Sequence, residues 1–138
     1  MGGNIFQDIK NSLQGLYLED ARPWLVGFSG GKDSTMLASL VFDAILSIPP
    51  EQRKKPVSVL CTDTRVEIPA IAGMIEGTLD RMRKCSQQHN LNLDANLLKP
   101  IIEGSFWVNI IGRGYPPPNR IFRWCARRMK IDPVNAVV

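Results

Sequence analysis

The sequence predicts an α/β fold of the Rossmann-like kind, a parallel sheet with helices on both faces. Three observations predict it. Short apolar runs of strand length alternate with longer stretches of helical period. The first run ends in a glycine pair that opens directly into a helix pattern. The chain, at 138 residues, 44% apolar and 22% charged, has the length and composition of one globular domain with a real core.

The elements follow in order. Ile5, Ile9, Leu13 and Leu16 recur at helical spacing, and Pro23 closes that helix. Residues 24–28 form a short apolar run, as a buried strand does. Residues 33–47 carry Met36, Leu37, Leu40, Val41, Ala44 and Ile45 on a broad helical face, stopped by Pro49 and Pro50. A polar turn over 51–55 leads to a second strand at 57–61. Ile68, Ile71, Ile75, Leu79 and Met82 then define a long amphipathic helix over 69–88. Residues 91–98 suit a third strand and 106–111 a short helix. Two glycines and three prolines make 112–119 a loop, after which 120–130 begins another helix. The whole chain reads as a single domain, 1–138, with 112–138 forming a loop and helix on the substrate side.

Crossovers between parallel strands are nearly always right-handed, and ligands sit at the carboxyl ends of the strands. The loops after the first two strands, Ser29 to Ser34 and Thr62 to Thr64, therefore fall into one site.

Net charge is only +4, from 17 basic and 13 acidic residues. Its distribution is more informative. Arg113, Arg120, Arg123, Arg127, Arg128 and Lys130 occur in a stretch without one acidic residue. Such a block suits an anionic partner, a nucleotide or nucleic acid, or is simply a solvated basic face. No segment has the roughly 18 apolar residues of a membrane span, and the N-terminus shows no export signal, so a cytoplasmic location without membrane contact is expected. Cys61, Cys85 and Cys125 form no CxxC pair, so no disulfide framework or local zinc site is indicated. Cys61 and Cys85 read as buried thiols, and His89 as a surface residue near a helix end.

The chemistry concentrates in Phe28-Ser29-Gly30-Gly31-Lys32-Asp33-Ser34-Thr35. Gly30 and Gly31 allow a sharp turn and close approach of a phosphate. Backbone N–H groups then converge at the positive end of the helix dipole. Ser29, Ser34 and Thr35 add hydroxyls and Lys32 adds a charge. Asp33 would repel a bare phosphate, but it makes sense as a helix N-cap or as a contact to magnesium. The Walker A pattern fails, because Asp33 follows Lys32 and the glycine spacing is wrong. The G-x-G-x-x-G pattern is absent from this turn.

What remains, S-G-G-K-D-S after a strand, resembles the PP-loop of the ATP pyrophosphatase superfamily, whose fold is of the adenine nucleotide alpha hydrolase type. The resemblance implies that the loop holds the β- and γ-phosphates of ATP while an acceptor attacks the α-phosphate. AMP is transferred and pyrophosphate leaves. Lys32 would contact phosphate and Asp33 would help place magnesium, both stabilising charge on the leaving group.

Cys61-Thr62-Asp63-Thr64-Arg65-Val66-Glu67 resembles the D-T-x-x-x-E signature of the phosphoadenylylsulfate reductase branch. The resemblance gives Asp63 to ribose or magnesium and Thr64 to a phosphate. The alternative for Asp63 is a cap for the helix beginning near Ile68. The segment 120–130 resembles the R-W-C-x-x-x-x-K element of the same branch, whose basic residues meet an anionic substrate and whose cysteine ligates an iron–sulfur cluster. Arg123 and Lys130 are the leading substrate contacts, with Arg113, Arg120 and Arg127 beside them. Trp124 reads as core rather than as a stacking platform.

The reductases keep a degenerate loop, whereas Lys32 and Asp33 are present here. Together with the stretch 112–120, this resembles the DndC family of bacterial DNA phosphorothioation over about residues 24–130. That likeness implies adenylation of a DNA phosphodiester oxygen and its replacement by sulfur from a partner cysteine desulfurase, alongside other DNA-modification proteins. Members of that family are longer and complete a 4Fe-4S cluster with cysteines beyond the R-W-C element. Cys125 would be one ligand, and the chain reads as a truncated form. Two other functions stay open: an assimilatory enzyme handling sulfate or phosphoadenylylsulfate, and a non-catalytic nucleotide-binding module.

Overall fold

The computed structural model describes residues 4–138. Helix α1 (Ile5–Glu19) starts at Asn4, whose side chain accepts a hydrogen bond from the Phe6 amide. Then follow strand β1 (Trp24–Gly27), helix α2 (Lys32–Leu46), strand β2 (Val57–Thr62), helix α3 (Pro69–Gln88) and strand β3 (Leu93–Leu98). The three strands are parallel in the order β1-β2-β3. The fold is thus α/β around a three-stranded parallel sheet, as the alternation of periods predicts.

Register explains the core. Val26, Val59 and Ala95 lie abreast, and all three are buried. Against them pack Ala38, Val41 and Ile45 of α2 and Ile75 and Leu79 of α3, with Tyr17 of α1. Side chains alternate faces along a strand, so Leu25, Ser58 and Asp94 form a row on the opposite face. In that row Leu25 is 52% exposed and Asp94 is exposed.

Full helical cover of both faces is not what the structure has. Consecutive strands added in one direction by right-handed crossovers put α2 and α3 on the same face. Among the described residues, the reverse face is covered towards its carboxyl end, where the turn Asp132–Asn135 contacts β2 and Leu60 is buried.

Two polar anchors fix the helical layer. Lys55 is buried, with its ammonium on Asp20 Oδ1 at 2.8 Å and the Leu16 carbonyl at 3.2 Å, and it sits over the Tyr17 and Trp24 rings. Hydrogen bonding to Lys55, and then to Arg22, holds the Asp20 carboxyl down at about 2. Arg53 donates to the carbonyls of Leu46, Ile48 and His89, joining the C-terminal ends of α2 and α3. Between those helices runs a groove of about 410 Å³ that includes Phe42, Leu46, Met82 and Cys85. Cys85 is therefore half-buried rather than buried, whereas Cys61 is 1% exposed and His89 is exposed at the α3 C-cap.

Beyond β3 the chain forms a π-helical turn (Val108–Gly112), then a loop, then three consecutive helical turns: Trp124–Ala126, the π-helical Arg127–Ile131, and Asp132–Asn135. The predicted helix over 120–130 starts late. Asn119 Oδ1 accepts the amides of Ile121 and Phe122, and this closed turn competes with helix until Trp124. Among the described residues no helix is long and apolar enough to cross a membrane.

Candidate functional site

The loop after β1 continues the sheet for one residue, through the Phe28 amide to the Leu60 carbonyl at 2.8 Å, and then turns. Phe28 is buried and anchors the turn from below. Gly30 adopts φ +78°, which costs a residue with a Cβ strain. A Cβ there would also lie 2.8 Å from Ile75 Cγ1, so the loop is pressed against α3. Glycine is required twice over.

The turn is held by its own hydroxyls. Ser34 Oγ accepts the Ser29 amide at 3.2 Å and lies 3.1 Å from Ser29 Oγ, and it donates to the Gly31 carbonyl. Thr35 Oγ1 donates to that same carbonyl at 2.8 Å. The N-cap of α2 is Gly31, which has no side chain to cap with, and Asp33 is the second residue of the helix. Asp33 is therefore not the cap, and the first turn of α2 gets its negative charge from a carboxylate that stays outside the helix hydrogen bonding. Lys32 and Asp33 are both exposed, and among the described residues neither side chain has a hydrogen-bond or ion-pair partner.

The second cluster sits at the adjoining strand end. The Asp63 amide donates to the Leu98 carbonyl, and Asp63 Oδ1 accepts the Arg65 amide at 2.8 Å, a turn that puts Arg65 at φ +57°. The carboxylate caps this turn and not α3, whose N-cap is Ile68. Thr64 is buried, and its hydroxyl donates to the Glu67 carboxylate at 3.0 Å. That hydroxyl is already engaged within its own loop. Ile75 joins the two clusters, since it touches Gly30 and also lines a small cavity with Thr62, Asp63, Glu67 and Glu76. The two loops expected in one site are thus brought together at the carboxyl edge of the sheet. Burial, and then the nearby Asp63 and Glu67 carboxylates, push the Cys61 thiol up, so it is an inert core thiol.

Asp33 and Asp63 carry the carboxylate oxygens that a hard cation takes as ligands. Among the described residues no three His, Cys, Asp or Glu converge as a complete metal site. Cys125 is half-buried, Cys61 lies in β2 and Cys85 in the helical groove, so the cysteines of this chain do not fit a four-iron cluster.

The basic residues split into groups. Arg113 and Arg128 line a cavity of about 360 Å³ with Leu98, at the end of β3. Arg128 also faces a second cavity of about 600 Å³, with Arg127, Tyr115, Phe122, Trp124 and Asp132. Arg120, Arg123 and Lys130 are exposed and line neither. Trp124 is buried, and its indole N–H donates to the Pro116 carbonyl, in keeping with a core role.

Two residues were not singled out from the sequence. Asn109 is 0% exposed, and its side chain donates to the Glu103 and Ser105 carbonyls and accepts from Arg113. It pins the segment that carries Arg113. Arg128 donates to the Tyr115 hydroxyl and stands over that ring. A buried asparagine amid helical spacing has no local signature, while Arg128 was visible only as one of a basic block. Compared with known proteins, the chain matches no family model and no curated sequence.

Proposed function

We propose that the chain is a PP-loop domain of the adenine nucleotide alpha hydrolase type, binding ATP with magnesium and cleaving it between the α- and β-phosphates. One observation carries this reading: a tight turn with Gly30 in the left-handed region opens α2 and, among the described residues, leaves the Lys32 and Asp33 side chains unpartnered near the Asp63 loop. The backbone N–H groups of that turn and the Lys32 ammonium take the β- and γ-phosphates. Asp33 and Asp63 hold the magnesium, which when bound offsets charge on departing pyrophosphate. Ser34 and Thr35 keep the turn in shape through the Gly31 carbonyl. The basic cavities beyond β3 hold the acceptor through Arg113, Arg127 and Arg128, and the exposed Arg120, Arg123 and Lys130 meet it outside those cavities. The acceptor class is a DNA phosphodiester awaiting sulfur from a cysteine desulfurase, in line with the DndC resemblance.

Incubation with magnesium and α-labelled ATP, with and without DNA, tests this directly. AMP is the expected product, and DNA raises its yield. Lys32→Ala is expected to lower turnover by about 100-fold, the cost of removing a preorganised cation from developing charge. ADP as product would overturn the mechanism, and ATP binding without turnover would leave a nucleotide-binding module.

A further inference from the structure

The turn between the proline-rich loop and the C-terminal helical turns carries an isoleucine that no packing explains. Ile121 is 97% exposed. Lone exposed apolar residues are ordinary on protein surfaces. This one differs in how it is held and in what flanks it. Asn119 Oδ1 accepts the amides of both Ile121 and Phe122, at 2.9 and 2.8 Å, and the Asn119 amide donates to the Phe122 carbonyl. The tip is therefore a closed turn presenting one aliphatic side chain. Arg120 and Arg123 bracket it, both exposed.

Next to that tip lies the cavity of about 600 Å³, within the roughly 300–1,000 Å³ of small-molecule sites. Its walls are flat and fixed. Trp124 stacks on Phe106 at 5.8 Å between centroids, and Tyr115 meets Trp124 edge-on at 5.4 Å. Arg128 is locked over the Tyr115 ring by its bond to the hydroxyl. Phe122, 45% exposed, is the wall adjoining Ile121. Asp132 supplies the one carboxylate, 3.9 Å from Arg127.

We infer that this turn and cavity extrude a base from double-stranded nucleic acid, an inference that rests on the nucleic-acid part of the function proposed above. Ile121 enters the base stack as an apolar wedge, as such side chains do where proteins kink a duplex. Arg120 and Arg123 hold the phosphates on either side of the opened step. The displaced base enters the cavity against the half-exposed Phe122 ring, a face that accepts any base by stacking, with the Arg128 guanidinium over Tyr115 as another wall. Arg128 and Asp132 offer donors and an acceptor to its edge.

The full chain is tested on duplexes carrying 2-aminopurine, either fully matched or with a mismatch at the labelled base, at one fixed salt concentration. A mismatch lowers the cost of extrusion, so the mismatched duplex should bind about tenfold tighter, with a rise in fluorescence as the base unstacks. Ile121→Ser, at a site too exposed to affect folding, should remove that preference, and Phe122→Ala should diminish the fluorescence change. Equal affinity for both duplexes, an unchanged preference in Ile121→Ser, or no duplex binding overturns the inference. Complete displacement of duplex by free AMP would assign the cavity to a mononucleotide and overturn it as well. AMP formation from ATP in the presence of the duplex is read in parallel. Its absence beside an intact mismatch preference sinks the ATP reading alone, and its presence without any preference sinks extrusion alone.

Discussion

Between Ile5 and Leu98 the chain is held by apolar burial and parallel strand ladders, whereas from Lys99 onward it is held by side chains reaching back to the backbone. The contiguous core runs from Tyr17 to Ala95 and includes nothing beyond β3. In the later segment the buried residues are few; Asn109 and Trp124 bond carbonyls several residues back, and Asn119 closes a local turn on the Ile121 and Phe122 amides. Its helical turns are partly π-helical, a form met mostly as single turns and often at functional sites. The scaffold that carries the glycine loop thus has redundant support, while the basic segment depends on single anchors.

The largest effect is expected from Leu79→Ala, at a position 0% exposed in the centre of α3. Removing it should cost about 3 kcal/mol from lost burial plus a residual cavity. Urea unfolding should show the midpoint falling for the whole molecule, since nothing beyond β3 replaces that support. Persistence of the 106–131 structure after the sheet melts would break the comparison, by showing the later segment to be self-sufficient.

Asn109→Ala should cost about 2 kcal/mol, because a fully buried side chain that makes three hydrogen bonds is lost. Here the loss should be local. Hydrogen exchange should speed at 102–116 while the amides of β1 to β3 keep their protection. Equal acceleration in both would merge the two regions into one cooperative unit.

The smallest effect sharpens the comparison from the other side, at the polar anchor inside the first region. Hydrogen bonding to Lys55 and Arg22 lowers the Asp20 carboxyl from 3.8 to about 2. A carboxyl depressed in the folded state adds stability that is complete above its unfolded value, and is lost as pH falls through the folded one. The loss should therefore run from about pH 4 down to pH 2, and an acid titration of Asp20→Asn should lack that component. A variant with the same acid profile as the parent would show that the pair contributes nothing.

The first region was legible in the sequence because its information is periodic. Alternation and helical spacing gave β1, α2, β2, α3 and β3 to within a few residues, and the glycine pair marked the turn. One-sided cover was not legible, because it depends on strand order. The stripe of α1 shows the same limit. Ile5, Ile9 and Leu16 are exposed, while α1 meets α2 through Lys10 on Asp43, Gln14 on the Ala44 carbonyl, and Leu13. Lys55 looked like part of a polar turn, and only the fold reveals the pocket of aromatic rings and Asp20 that receives it. In the later segment, contacts from side chain to distant carbonyl leave no spacing to read. The basic residues were visible by composition, but their division between two cavities and an exposed tip was not.

The Arg53 guanidinium has a mechanical consequence. It ties α2 and α3 at the end remote from the glycine loop, while the groove between them keeps their flanks apart. Fastened at one end, with a groove along one flank, the two helices have the geometry of arms on a common pivot. α2 has 15 residues, so its arm is about 22 Å long. A tilt of about 5° at the pivot then moves the loop end by about 2 Å over that lever. Ile75, set against Gly30 from the other arm, is the contact through which spreading of the helices would reach the glycine turn.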